Sequence, residues 1–560
     1  MITRPYILKK NISSSVNSFF RFTSAFTQVR GTAVYRLRNS TTMTELQPPV
    51  QASSSNNNDE TVNKRARSSS PPSKQPSKFS RKNHKKKGKR KVDILSVEGC
   101  LIHDIIDFKT SLGQPLSVNK SDDGSSFVLD LISATEYREV EVEIAKLSSI
   151  GDGIGLYKES NGEEHVVVVP FTVPGDRVKA KLYSQLPFFS YADLLEVLKA
   201  GDARDDSLIR CKYFAKCAGC QFQMLPYADQ LSHKREVIAR AYKHFATLAP
   251  GILPEIGETI ASPLEYEYRT KLTPHFDVPR RKPVPEDVPI GFNIKGRQTV
   301  LDIEECPIGT AVLNETLTKE RKTIKETFGT YKRGATLLLR ESTRVDTETH
   351  EQFKTAVTNA KQTVTEYVNG LKFEYPANEF FQCNNSVLPR VTQYVNDQLQ
   401  LPATPEGKGP RFLVDAYCGS GLFSITCNKS VEKVIGVEIA AKSVEYASTN
   451  AKNNNLTNTE FVLGDASVIF KKITTPADDT SIILDPPRKG CGDNFMSQLL
   501  DFRPRRIVYV SCNVHTQAKD ISYFINDPRG SKYIINSVRG FDFFPQTHHV
   551  ESVAVLTRQD

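Results

Sequence analysis

The chain has 560 residues and a formal charge of +10 at pH 7. That length is too great for one core and predicts two to four domains, while no run reaches the roughly 18 to 20 apolar residues of a membrane span, so no transmembrane helix is expected. Ten scattered cysteines do not resemble a small secreted disulfide scaffold; they fit a reducing compartment, with individual thiols reserved for chemistry or metal.

Residues 1–43 contain seven Lys/Arg, no acid, and bulky apolar residues among Ser and Thr ("VNSFFRFTSAF"). This composition predicts a mitochondrial targeting segment, with a disordered tail as the alternative. Met43 is a potential internal start that would remove it. Residues 44–91 are low in complexity and carry too little apolar surface to fold, so a disordered basic linker is expected. Its run 81–91, "RKNHKKKGKRK", reads as a nuclear address, an RNA tether or a solvating tail. The first 91 residues hold twenty Lys/Arg against three acids, a local +17, so the remainder of a +10 chain sums to −7. Any nucleic-acid site on the folded body must therefore be a local basic face. The compartments expected are the nucleus, the mitochondrion or both, with the cytoplasm open.

Residues 136–203 read as short strands separated by Gly and Pro-Gly-Asp turns: "EVEVEIAKL", "GIGLYK", "HVVVVPF", "DRVKAKLYSQ", "YADLLEVLKA". That spacing predicts a small β-barrel. The piece "SSIGDGIGLYKESNGEEHVVVVPFTVPGDRVKAKL" resembles a TRAM domain, an OB-like RNA-binding barrel. Residues 205–370 mix strands and helices and predict a central α+β domain. Residues 378–560 alternate strand and helix, the signature of a doubly wound, Rossmann-like α/β sheet.

In "FLVDAYCGSGLFSI" (412–425) a buried strand ends in a glycine turn, where the backbone can pass close to a ligand. The next strand, "KVIGVEIA", ends at Glu438, the position from which such sheets bond ribose hydroxyls. Asp465 ends a third strand. "DAYCGSG" lacks the G-x-G-x-x-G spacing of a pyrophosphate loop, which disfavours a dinucleotide and favours an adenosyl ligand, S-adenosylmethionine. "IILDPPRKG" ends the fourth strand in Asp485 and a rigid Pro-Pro rim, with Arg488 beside it for phosphate or a pyrimidine edge. The fifth strand runs "IVYVSCN" and delivers Cys512 to the same end of the sheet. "YEYRTKLTPHF" puts Arg269 and Lys271 on one side of a strand, where they reach RNA phosphates or form a solvated face.

The series "FFQCNN", "DAYCGSG", "DPPRKG", "VSCN" and "FPQTHHVESV" resembles the S-adenosylmethionine-dependent RNA 5-methyluridine methyltransferases, most closely their eukaryotic tRNA (uracil-54, C5) branch. The resemblance runs over residues 139–560. It implies cofactor contacts at Gln382, Tyr417, Glu438 and Asp485, with Asp465 and Ser420 as further contacts, a nucleophile at Cys512 and a proton acceptor at Glu551. His548 and His549 are assigned to shaping the loop before it. Where the family often has Pro after "SCN", this chain has Val514. The implied substrate is uridine 54 in the T-loop of tRNA, acted on by a monomer. An rRNA substrate and a non-catalytic RNA-binding or RNA-folding protein are the alternatives, and a cytosine-C5 enzyme is disfavoured because Cys491 stands in no second cysteine motif. Cys211, Cys217 and Cys220 at C-x5-C-x2-C spacing, with Cys306 downstream, suit zinc or iron–sulfur. Some rRNA members of the family hold a 4Fe–4S cluster at this spacing, so a cluster is an expectation, with reduced structural cysteines as the alternative.

Overall fold

The computed structural model of the chain describes residues 88–132, 137–278, 288–400, 410–464, 469–470 and 473–559. The expectations placed on residues 1–87 and on Asp465 lie outside the described residues. Among the described residues, no helix is long and apolar enough to cross a membrane.

Five strands close a barrel: Glu139–Leu147, Gly153–Lys158, Glu164–Val169, Arg177–Leu186 and Phe189–Lys199. Inward residues alternate along each strand and fill it with Val142, Ile144, Val167, Val178 and Ala180. Glycine is needed at Gly155, where a Cβ would sit 2.3 Å from the Glu143 carbonyl oxygen of the paired strand.

Two elements in front of the barrel were not anticipated. Residues 89–91, expected in the linker, form the start of a strand Lys89–Asp93 that pairs antiparallel with Ser126–Asp130. A helix, Val97–Ser111, is capped by Ser96 and packs Leu101, Ile102, Ile105 and Phe108 against barrel residues Ile154, Val166, Val168 and Phe189. The basic run therefore ends in a β-strand whose apolar member is Val92, a single buried position too short to show a period.

The methyltransferase-like sheet has eight strands. In spatial order they are Thr459–Leu463, Lys433–Glu438, Phe412–Ala416, Thr480–Leu484, Arg506–Ser511, Glu551–Arg558, Tyr533–Phe541 and Gly257–Ile260. The first five are parallel; Glu551–Arg558 runs antiparallel to both its neighbours. Side chains alternate between two cores. Val414, Ile482, Ile507 and Tyr509 face the helices Asp493–Phe502, Val514–Asn526 and Tyr227–Phe245, and Leu413, Ile483 and Val508 face the helix Leu388–Leu399. A short helix, Leu422–Thr426, follows the glycine turn.

The expected boundary between central and C-terminal domains does not hold in packing. The eighth strand, "GETI", and the helix Tyr227–Phe245 come from the central region yet complete the sheet and its core. A four-residue strand paired nearly 300 residues downstream leaves no local signal. The rest of the central region is α+β as expected: sheets of four and three strands, the hairpin Thr363–Val368/Leu371–Pro376, and the helix Ala311–Thr327.

Candidate active site

Strand order reverses between Phe412–Ala416 and Thr480–Leu484, which opens a crevice at the carboxyl ends of the strands. A cleft of about 880 Å³ lies there, and Gln382, Tyr417, Ser420, Glu438, Asp485, Arg488, Cys512 and Glu551 all line it. Eight residues spread over 170 positions of sequence thus meet in one place.

Each tip is set by local backbone chemistry. Tyr417 leaves its strand at φ 67°, a left-handed turn rare for a non-glycine, and its ring packs 5.5 Å from Phe495. Gly419 donates its N–H to Glu438 at 3.1 Å, and Ala440 donates to the other carboxylate oxygen at 2.9 Å. These bonds fix Glu438 at the strand end while each oxygen keeps a lone pair. Ser420 is buried, and its carbonyl accepts from Asn450 at 3.0 Å. Gln382 is 8% exposed, on a loop that Thr270 grips through the Cys383 carbonyl at 2.8 Å.

Cys512 follows the strand directly and is half-buried. The turn is tied down by Asn513. Its side-chain oxygen caps the helix Val514–Asn526 at His515 N–H, 3.2 Å, and its amide donates to the Arg488 carbonyl at 2.9 Å. One side chain therefore joins the "SCN" turn to the "DPPR" rim. Val514, where proline is common in the family, is a buried first helical residue. Gly490 closes the rim at φ 78°; a Cβ there would lie 2.6 Å from Asp520 Oδ2, which accepts from Cys491 N–H at 2.8 Å and Tyr509 O–H at 2.7 Å.

Burial raises two acids of the cleft, Asp485 and Glu551. Burial, then the Asp415 charge, pushes the Asp485 carboxyl up to about 7. Glu551 is 2% exposed, its Oε1 has no hydrogen-bond partner, and burial followed by the Asp485 charge raises it well above the usual carboxylate range. Burial, Glu551 and Asp485 push the Cys512 thiol up to about 12, with Arg488 opposing. Burial also lowers His549 to about 4, so its imidazole is neutral at physiological pH.

Other expected residues lie elsewhere. Arg269 and Lys271 do not lie along one strand. The strand is only Lys271–Leu272, Arg269 Nε donates to the Lys271 carbonyl at 3.1 Å, and the Arg269 guanidinium lies 5.9 Å from the Phe544 ring centroid. Burial lowers the Lys271 amine. Both are half-buried beside the "FFQCNN" loop, with which Arg269 forms a backbone bridge at Asn384. Cys211, Cys217, Cys220 and Cys306 are free thiols close enough to raise one another's pKa. Yet among the described residues no group of three or more His, Cys, Asp or Glu is arranged to hold a metal ion, so the structure does not fit the expected cluster. Cys491 points into the core, its sulfur 3.8 Å from the Tyr509 hydroxyl. Among the cleft residues that the sequence reading did not single out are two exposed apolar ones, Phe380, 75% exposed, and Ile439, 66% exposed. The signal for Ile439 was its place directly after the acidic strand tip.

A Rossmann-like sheet with acidic strand tips around one crevice, joined to a small β-barrel, defines a methyltransferase with an appended RNA-binding-type module. The tRNA (uracil-5-)-methyltransferase family model matches residues 351–559, and the TRAM domain model matches residues 134–195. The chain is 48% identical over 432 residues to a tRNA (uracil(54)-C(5))-methyltransferase of Schizosaccharomyces pombe, covering 77% of this chain and 80% of the relative. It is 44% identical over 527 residues to the Saccharomyces cerevisiae protein of the same name, covering 84% and 82%. The chain belongs to the tRNA (uracil-5-)-methyltransferase family. Its fold is also that of the Pyrococcus abyssi tRNA (uracil-54, C5)-methyltransferase solved with S-adenosyl-L-homocysteine, at a TM-score of 0.54 and 22% identity, covering 76% of this chain and 100% of that one.

Proposed function

We propose that the protein methylates C5 of a uridine in RNA, uridine 54 in the T-loop of tRNA, with S-adenosylmethionine as methyl donor. The observation that carries the chemistry is one cleft holding a thiol, Cys512, and a buried carboxyl, Glu551, beside the strand-end carboxylates Glu438 and Asp485. The names of the two yeast relatives support tRNA and the position. The feature that favoured rRNA was the four-cysteine set, which forms no metal-holding group among the described residues. Intact Cys512, Glu551 and Asp485 argue against a non-catalytic RNA-binding protein.

The cleft residues fit the cofactor. Glu438 offers acceptor lone pairs where such sheets meet ribose, Ile439 and Phe380 offer exposed apolar surface, and Asp485 offers a carboxylate to a cation. When bound, S-adenosylmethionine supplies an electrophilic methyl group. The protein must supply the nucleophile, because C5 of uracil is a weak one. Cys512 releases its S–H proton to solvent, the thiolate Sγ adds to C6, and the C5=C6 electron pair moves toward O4 as an enolate, which makes C5 nucleophilic. After methylation, Glu551 takes the C5 proton; the C5–H pair re-forms C5=C6, and the C6–S bond breaks to return the Cys512 thiolate. Glu551 acts as a base only once ionised, and a positive charge entering beside it and Asp485 favours that state and the thiolate together. The target base sits in folded RNA and must leave its stack to reach Cys512.

The test is transfer of label from S-adenosylmethionine to unmodified tRNA and rRNA. The expected product is 5-methyluridine at position 54 of tRNA. No transfer to either RNA would sink the enzymatic reading, and transfer to rRNA alone would replace the substrate. For location, we propose that residues 1–43 direct a mitochondrial pool and the basic run 81–91 a nuclear one. A fluorescent fusion of the full chain should reach mitochondria, and one starting at Met43 should not; identical patterns would refute the targeting role.

A further inference from the structure

The hairpin loop that leads into Glu551 is gripped from outside its own sheet. On the helix Tyr227–Phe245, Gln230 and Lys234 stand one turn apart on the face that also buries Val237, Ile238 and Ala241. Lys234 is fully buried. Its Nζ lies 2.5 Å from Asp542 Oδ1 and donates to the Phe544 carbonyl at 3.0 Å. The same Asp542 oxygen accepts the Phe544 N–H at 3.0 Å. Asp542 directly follows Phe541, the residue paired across the hairpin with Glu551, and Phe544 lines the cleft. Gln230 exchanges two bonds with Gln546, each 3.0 Å, holding that residue at φ 69°. Tyr268 donates to the Pro545 carbonyl at 3.0 Å.

A buried ammonium–carboxylate pair is a costly way to hold a loop, and an apolar pair of similar size would often serve stability equally well. What the ionic pair adds is direction. Lys234 Nζ reaches both the side chain that starts the loop and the carbonyl of the cleft residue Phe544, so it fixes the loop's exit angle at the base of the hairpin. We infer that Lys234 and Asp542 are positioning residues that hold the Glu551 hairpin in register with Cys512, so that their loss impairs proton removal from C5 more than addition to C6. This rests on the proposed chemistry. The step concerned is the one in which Glu551 takes the C5 proton, the C5–H pair closes C5=C6, and Cys512 leaves as thiolate.

Three variants test it in the full chain. Lys234→Met alone leaves a buried carboxylate unpaired and threatens folding; the double variant Lys234→Met/Asp542→Asn leaves no buried charge and keeps the acceptor for Phe544. Thermal unfolding, cofactor affinity by calorimetry, methyl transfer, and the covalent RNA adduct on denaturing gels would be measured for each. The expected result for the double variant is a folded protein with cofactor Kd within about 2-fold of wild type. Turnover should fall by about 10-fold or more, with adduct accumulating as is expected when Glu551 itself is replaced by glutamine. Lys234→Arg should restore part of the turnover and reduce the adduct. Wild-type turnover in the double variant would overturn the inference. So would a loss of turnover without adduct, which would mark a purely structural role. A wild-type protein that forms neither product nor adduct would instead refute the underlying function.

Discussion

Replacing Glu551 with glutamine separates the two halves of the proposed reaction. The side chain is 2% exposed and its Oε1 has no partner, so an isosteric amide meets no packing change. Cys512 and the strand tips stay in place, so addition and methylation proceed. Removal of the C5 proton loses its general base, which is worth roughly 10²- to 10⁴-fold, or about 3 to 5 kcal/mol in barrier. The expected result is an RNA–protein adduct that survives denaturation, with steady-state turnover down by that factor. Stability supplies a second, independent arm. Glu551 is an acid whose pKa in the fold lies above its unfolded value near 4.5. The folded protein therefore holds this proton more tightly than the unfolded chain. That contribution is fully present below about pH 4.5 and is lost as pH rises through the folded pKa, at up to about 1.4 kcal/mol per pH unit. Glutamine has no proton to lose. The variant should gain on wild type steadily as pH rises above about 4.5 towards the folded pKa. Chemical denaturation across that range reads the difference. Wild-type turnover with no adduct would refute the base assignment, and a stability difference independent of pH would refute the buried neutral acid.

Two further substitutions probe how the rim is built. Asn513→Ala removes both the helix cap at His515 and the bond to the Arg488 carbonyl, and should cost about 1 to 2 kcal/mol in denaturant unfolding. It should also slow adduct formation, since the "SCN" turn and the "DPPR" rim lose their shared tie; an unchanged rate of addition would show that the tie is dispensable. Gly490→Ala forces a left-handed backbone on alanine, about 1 to 2 kcal/mol, and drives its Cβ against Asp520. The midpoint of thermal unfolding should fall and the cofactor dissociation constant rise, whereas wild-type values for both would mean the rim can shift without cost.

The sequence carried the strand tips because a parallel sheet writes them locally. A buried apolar run followed by a turn and one polar residue marks Glu438, Asp485 and Cys512 without any knowledge of the fold, whereas Tyr417 came from the family resemblance. Gln382 and Glu551 had no such local mark and rested on the family resemblance: the one lies on a loop held by the central region, the other opens an antiparallel strand. The helix Val97–Ser111 went unread although its apolar residues recur at helical spacing. Lys234 was legible in principle, as a charge set among apolar residues on the buried stripe of a helix. Its partner lies 308 positions away, and nothing near either residue predicts the pair. Arg269 and Lys271 show the opposite failure. Alternation suggested one strand carrying both, but the strand begins only at Lys271, and the backbone before it pairs with a loop more than a hundred residues downstream, at Asn384 and Cys383, which leaves no periodic signature.

The central claim is that Cys512 forms the bond to the base. Its most direct test uses tRNA in which 5-fluorouridine replaces uridine, so that no proton can leave C5 after methylation and the adduct cannot break down. The protein, this RNA and S-adenosylmethionine should give a covalent complex that resists denaturation, whose digested peptide carries the methylated fluorouridine on Cys512 and which Cys512→Ala cannot form. Absence of the complex, its persistence in Cys512→Ala, or attachment at Cys383, the other thiol lining the cleft beside the buried Cys418, would contradict the account.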